Sequence, residues 1–412
     1  MARSLDDALD MLRVGERASA GLWKFRLAFG WTILFAALVG LFAFSWDIQW
    51  HTAVGRDRTL TAPHLFILGS ATLMGLASLA MVLIETRWAQ RSTPVAQSGT
   101  TFAGFFSGSL GAYLVGYGAL DTAIAFPIDQ YWHTLYGVDV TIWAPFHVML
   151  LTGFCMCCLG VAYMLVEGAR MAAQQEARWA ALVGYLSAVV AFATLMAMFS
   201  FFLPGALTTG YISLGWLTFT VYPLMLGAMG TFVLIAAIHA LPWRAVATCV
   251  AIVYAFFGLI SYLLIPLLMT WLLDVEQQSL LPGAPTASVL VTNWQFPLII
   301  AAVLLDLVTW LARRRGWPWK GTSRITLIAA SIGMSLAALF YPFFTNSQFL
   351  ATASGTGGAI AVHPGHPGQG AASFHTPVLV IVVVSLLLGV LGIFVGNWLG
   401  AGTGELMQRK EQ

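Results

Sequence analysis

Residues 46–64 read WDIQWHTAVGRDRTLTAPH, and residues 128–147 read IDQYWHTLYGVDVTIWAPFH. Each stretch joins two long apolar runs, and the second repeats the first. Setting 47–63 against 129–145 without a gap gives nine identities in seventeen positions: Asp47/Asp129, Trp50/Trp132, His51/His133, Thr52/Thr134, Gly55/Gly137, Asp57/Asp139, Thr59/Thr141, Ala62/Ala144 and Pro63/Pro145. One inserted residue, Phe146, then aligns His147 with His64. Matches at equivalent points of two hairpins imply parallel copies of one unit.

The surrounding composition supplies the solvent. The chain has 412 residues, 59% of them hydrophobic and 9% charged, whereas soluble domains average about 25% charged. A net charge of +2 gives no ground for a nucleic-acid partner. Ten stretches, near 27–45, 64–84, 102–120, 142–166, 180–203, 215–238, 245–272, 294–312, 324–343 and 376–399, are long enough for a hydrocarbon layer of ~30 Å, which takes ~20 helical residues. Backbone amides in lipid must bond within their own segment, so the expected fold is all-α, a polytopic bundle of about ten transmembrane helices.

Lys and Arg set the orientation. With the N-terminus cytoplasmic, 17 of the 19 basic residues fall inside and only Arg56 and Arg58 outside. Both termini are then cytoplasmic, and the expected location is the inner cell membrane with the repeated stretches facing the periplasm. The segment before the first apolar run carries Asp6, Asp7, Asp10 and Glu16 and no short apolar core, unlike a cleavable signal. Residues 1–26 instead suggest an interfacial amphipathic helix, with Ser4 as its cap and Leu5, Leu9 and Leu12 on one face. Residues 27–170 hold the duplicated hairpins, and 171–412 hold six further helices with a Gly/Pro/His-rich outer loop at 344–375.

Seven of the eight histidines map to the outer side, and only His239 maps to the inner. Asp-x3-His places a carboxylate and an imidazole on one helical face. The last histidine follows a proline at the start of the next helix, where the positive end of the dipole disfavours imidazolium. Asp47, His51 and His64, and again Asp129, His133 and His147, can therefore converge as two-His, one-carboxylate metal sites with positions open to water or substrate. Such N/O donors suit copper, zinc or iron, with softer arguments for copper. The competing reading is a polar network that stitches the hairpins together at the interface. Asp57 and Asp139 are either outer acceptors that orient an imidazole, or loop caps or partners of Arg56 and Arg58. Trp50 and Trp132 are either part of a tryptophan belt or neighbours of the sites.

At these residues the chain resembles the C subunit of the copper membrane monooxygenases, the particulate methane and ammonia monooxygenases. Asp47, His51 and His64 fall on that subunit's Asp-x3-His-x12-His copper pattern, with Trp50, Arg56, Asp57 and Thr61 matching its flanks. His133 and His147 match the Asn-x3-His-x13-His pattern of its other proposed copper site, but Asp129 stands where the family has Asn. The resemblance covers about residues 20–170. It implies two coppers, oxidation of a small apolar substrate or ammonia by dioxygen, a quinol donor, and A- and B-like partner subunits or an oligomer. The alternative is a non-enzymatic copper protein for uptake, storage or delivery to an oxidase.

Other polar residues carry weaker signals. His363, His366 and His375 form an auxiliary metal loop or a plain connector. Asp306, inside an expected span, reads either as part of a proton or quinol path or as a hydrogen-bonded carboxyl facing another helix. Asp121 is a further candidate neighbour of the second site. Cys155, Cys157 and Cys158 read as small packing residues or as a soft-metal cluster, and no disulfide framework is implied. Phosphate-binding Gly loops, GxSxG and HExxH are absent.

Overall fold

Apolar runs in this chain become helices wherever nothing local interrupts them. A computed structural model describes residues 5–55, 60–136, 143–203, 211–214, 216–281, 295–317, 319–345 and 377–408. Its helices are α1 (Leu5–Ala53), α2 (Ala62–Ala89), α3 (Thr93–Gln97), α4 (Leu110–Tyr136), α5 (Pro145–Gln174), α6 (Arg178–Ser200), α7 (Tyr222–Ala240), α8 (Val246–Glu276), α9 (Gln295–Arg314), α10 (Trp319–Thr345) and α11 (Val378–Gln408). The fold is all-α, and seven of the described helices are long and apolar enough to cross a membrane: α1 from Gly21, α2, α5, α6, α7, α8 and α11 from Leu379. Ile252, Phe256, Leu259, Leu263, Leu267 and Trp271 form an exposed apolar stripe along α8, as a lipid-facing helix requires.

Two expected spans begin with strands instead. The run expected over 102–120 opens as the hairpin β1 (Thr100–Phe102) and β2 (Phe106–Gly108), and its helix starts only at Leu110. Ala103 at φ 52° and Gly104 at φ 78° supply the left-handed turn that a hairpin needs. The run expected over 215–238 likewise opens with β3 (Tyr211–Ser213) and β4 (Thr218–Thr220), whose aromatic and β-branched residues suit strands. Helix α7 starts two residues later, with Pro223 in its first turn. At the N-terminus, the short interfacial helix expected over 1–26 is continuous with the first apolar run, as one 49-residue helix.

The chain divides into two units. The first comprises Met1–Met198, Ile260–Val289 and Glu405–Gln412, and so holds both hairpins together with α6 and the second half of α8. In it α4 and α5 pack almost backbone to backbone, because Gly111 and Gly118 face Gly160 and Gly153. On α1, Gly30 receives Leu165, while Leu27 fills the space beside Gly168 of α5. The second unit comprises Phe199–Leu259 and Leu290–Gly404. Its α7 and α11 meet along Gly392, Gly396, Gly400 and Gly404, spaced by four so that one bare helix face lies on the α7 backbone.

Candidate metal centres

Asp47 and His51 lie near the C-terminal end of α1, one turn apart. Helix α2 starts at Ala62 after the extended Thr61, which makes His64 its third residue. Helix α5 starts at Pro145, so His147 is also a third residue. The inserted Phe146 is absorbed by starting the second helix at its proline rather than one residue earlier. Proline costs little there, since a first-turn N–H has no intrahelical acceptor.

In the first triad, His64 Nε2 lies 3.0 Å and His51 Nε2 3.7 Å from Asp47 Oδ1, and the two nitrogens are 3.5 Å apart. A point equidistant from those three atoms lies about 2.0 Å from each, close to the ~2.0–2.2 Å at which zinc-class ions bind imidazole and carboxylate. In the second triad, His133 Nε2 is 3.3 Å from Asp129 Oδ2 and His147 Nε2 is 3.4 Å from Asp129 Oδ1. The first carboxylate thus offers one oxygen to both histidines, and the second offers a different oxygen to each. All three donors of each set lie within 4.8 Å of one another, so either triad can hold a metal ion. No family model, curated protein or solved structure matches the chain.

The hydrogen-bond geometry favours a shared cation. Among the described residues, Asp47 Oδ1 and Asp129 Oδ1 are buried yet accept no well-aligned hydrogen bond, despite nitrogens at 3.0 and 3.4 Å. Donors whose lone pairs point to a common centre, rather than along N–H···O lines, produce that pattern.

The two centres are close neighbours. The His64 ring meets the edge of Phe126 at 5.9 Å, and Phe126 stands one turn before Asp129 on α4. Asp47 is within electrostatic reach of His147, a donor of the other triad. The tryptophans differ between the copies. Trp50 is buried with Trp46, Ile265, Met269 and Leu272, and its indole N–H bonds no described residue. Trp132 is half-buried, with Tyr136 tilted against it at 4.4 Å and Phe146 edge-on at 5.8 Å.

Other sequence candidates stand apart. Asp121 lies eight residues before Asp129, about 12 Å along α4 and too far for a hydrogen bond to the second triad. Among the described residues no third group of His, Cys, Asp and Glu is placed to hold an ion. The cysteines are free; Cys157 Sγ lies 3.4 Å from the Val115 carbonyl at the α4–α5 contact, which makes it a packing residue. Asp306 accepts hydrogen bonds from the Ala247 and Thr248 amides at 3.2 and 2.7 Å and from the Thr248 hydroxyl at 2.7 Å. It therefore caps the first turn of α8 from another helix. Asp57, Asp139, His363, His366 and His375 lie outside the described residues.

One buried cluster escaped the sequence reading. Arg26, expected only as an inner-side anchor, holds Glu85 through Nε and Nη2, both at 2.9 Å, and also bonds Glu167. The Ser109 amide donates to Glu85 and its hydroxyl to Glu167. The one-residue insertion at Phe146 sets Glu85 against Gly168 in the repeat, so the aligned copies gave no sign that Glu85 and Glu167 share a partner. About 20 helical residues separate them from His64 and His147, so triads and cluster lie roughly 30 Å apart, one hydrocarbon thickness.

Proposed function

We propose that the protein is a membrane copper protein of the kind that its segment 20–170 resembles, a C-subunit-like component of a copper membrane monooxygenase. Asp47, His51 and His64 hold one copper, and Asp129, His133 and His147 hold a second. The observation that carries this reading is the convergence of six side chains from a repeated motif into two three-donor sets, one of them on a circle of metal-bond radius. In this reading all ten long helices span the inner membrane, both termini are cytoplasmic, and the triads face the periplasm. The skew of basic residues supports that orientation.

Bound copper would supply activation of dioxygen for transfer of one oxygen atom to a small apolar substrate or to ammonia. The chain's own contributions are positional. One turn of α1 and the first turn of α2 fix three donors on separate backbone segments. The apolar cluster around Trp46 and Trp50 keeps water from one side of the first triad. Donor side chains that remain 13–23% exposed leave an approach for ligand. Electrons come from quinol, with A- and B-like subunits as partners.

The test is the copper content and copper EPR spectrum of purified wild type, His51→Ala and His133→Ala. Each substitution is expected to remove about one copper, and unchanged content in both ends the reading. An oxygen-dependent product lost in His64→Ala membranes supports the catalytic part. Two coppers without any such product favour uptake, storage or delivery instead, a role that partly exposed donors also suit.

A further inference from the structure

The first triad touches the helix that carries two donors of the second. His64 of the first packs on Phe126 at 5.9 Å, and Phe126 and Asp129 are neighbours on one face of α4. Adding the spacing of residues three apart on a helix places the ion positions on the order of 10 Å from each other. Phe126 itself offers no donor atom with which to bridge two ions.

We propose that the triads form an electrostatically coupled pair in which an ion in one weakens binding in the other, with Asp129 as the charge that lets both fill. This rests on the metal reading above. A divalent ion on two neutral imidazoles and one carboxylate leaves each loaded triad at about +1. Because each step adds +2, two steps about 10 Å apart, in the effective dielectric of ~20 near a protein surface and with salt screening over ~10 Å, oppose one another by on the order of a hundredfold. With an amide in place of Asp129 the second loaded triad stands at about +2. The repulsion between the ions then stands unchanged while the local carboxylate attraction is lost, so the second ion is expected to bind at least a hundredfold more weakly than in wild type.

Zinc titration of the full-length protein in nanodiscs, followed with a chromophoric chelator, tests the idea on wild type, His51→Ala, His133→Ala and Asp129→Asn. Two wild-type steps are expected. The triad left intact in each single His variant should bind on the order of a hundredfold more tightly than the second wild-type step. Asp129→Asn should retain one tight ion. Two ions in wild type whose affinities are unaltered by removing the other triad overturn the coupling and leave the metal reading standing. No ion in wild type overturns both. Should the His variants fail to fold, the dipolar splitting between two Cu(II) ions in wild type decides the matter. A splitting that matches the separation derived above from helical spacing supports the pair, and two isolated signals at full loading refute it.

Discussion

Replacing Gly153 by alanine is a sharp test of how the second triad is held. A Cβ there falls 2.6 Å from the Gly118 carbonyl oxygen and 2.5 Å from Thr122 Oγ1. A carbon–oxygen contact needs about 3.3 Å, so α4 and α5 must part by about 0.7 Å at this crossing. Overpacking of this kind costs about 1–3 kcal/mol. The same displacement acts on the donors, because Asp129 and His133 ride on α4 while His147 rides on α5, six residues from Gly153. The 3.4 Å contact between Asp129 and His147 stretches towards 4 Å, more than the ~0.5 Å a built site tolerates. The first triad sits on α1 and α2 and is spared. Thermal unfolding in detergent and copper stoichiometry should therefore show a lowered midpoint and one copper lost. Gly69→Ala is the control, since nothing lies within 4 Å of its added Cβ; it should keep both coppers and gain up to about 1 kcal/mol from helix propensity. If Gly153→Ala matches wild type in midpoint and copper content, the tight α4–α5 crossing is not what positions the second triad.

Removing the Asp306 cap by alanine leaves two amides and a hydroxyl without their acceptor, and should cost about 1–3 kcal/mol in denaturant unfolding with copper content unchanged. Arg26→Met strands two buried carboxylates, and a loss of about 3–5 kcal/mol is expected, seen as a lowered midpoint or failure to accumulate in membranes. Alanine at Cys155, Cys157 and Cys158 together should leave metal content at the wild-type level, which elemental analysis would check. Acidification should release copper from both triads, because protons compete for imidazole and carboxylate donors; equilibrium dialysis across pH reads the loss directly.

Much of the site could be read from the residues in order. Asp47 with His51 and Asp129 with His133 needed only helical spacing, and His64 and His147 needed only a short connection back to the same end of the hairpin. The repeat then said that the arrangement was specified twice. Helices lie over the apolar runs, seven of them long and apolar enough to cross a membrane, but at 100–108 and 211–220 apolar composition concealed hairpins. Strand and helix are hard to tell apart in short apolar runs, and there the turn at Ala103–Gly104 and the strand-forming residues before Pro223 decided the outcome.

By itself, then, the sequence determined the solvent, the helical class and the six donors, because each follows from local periodicity or from the price of burying backbone in lipid. It did not determine which helices touch. In a bilayer every apolar face is equally content against lipid or protein, so partner choice falls to small residues and buried polar groups that are far apart in the chain. Tertiary structure alone set Gly153 against Gly118, joined Arg26 to Glu85 and Glu167, and turned Asp306 into the cap of α8. It alone set Phe126 of α4 against His64 of α2.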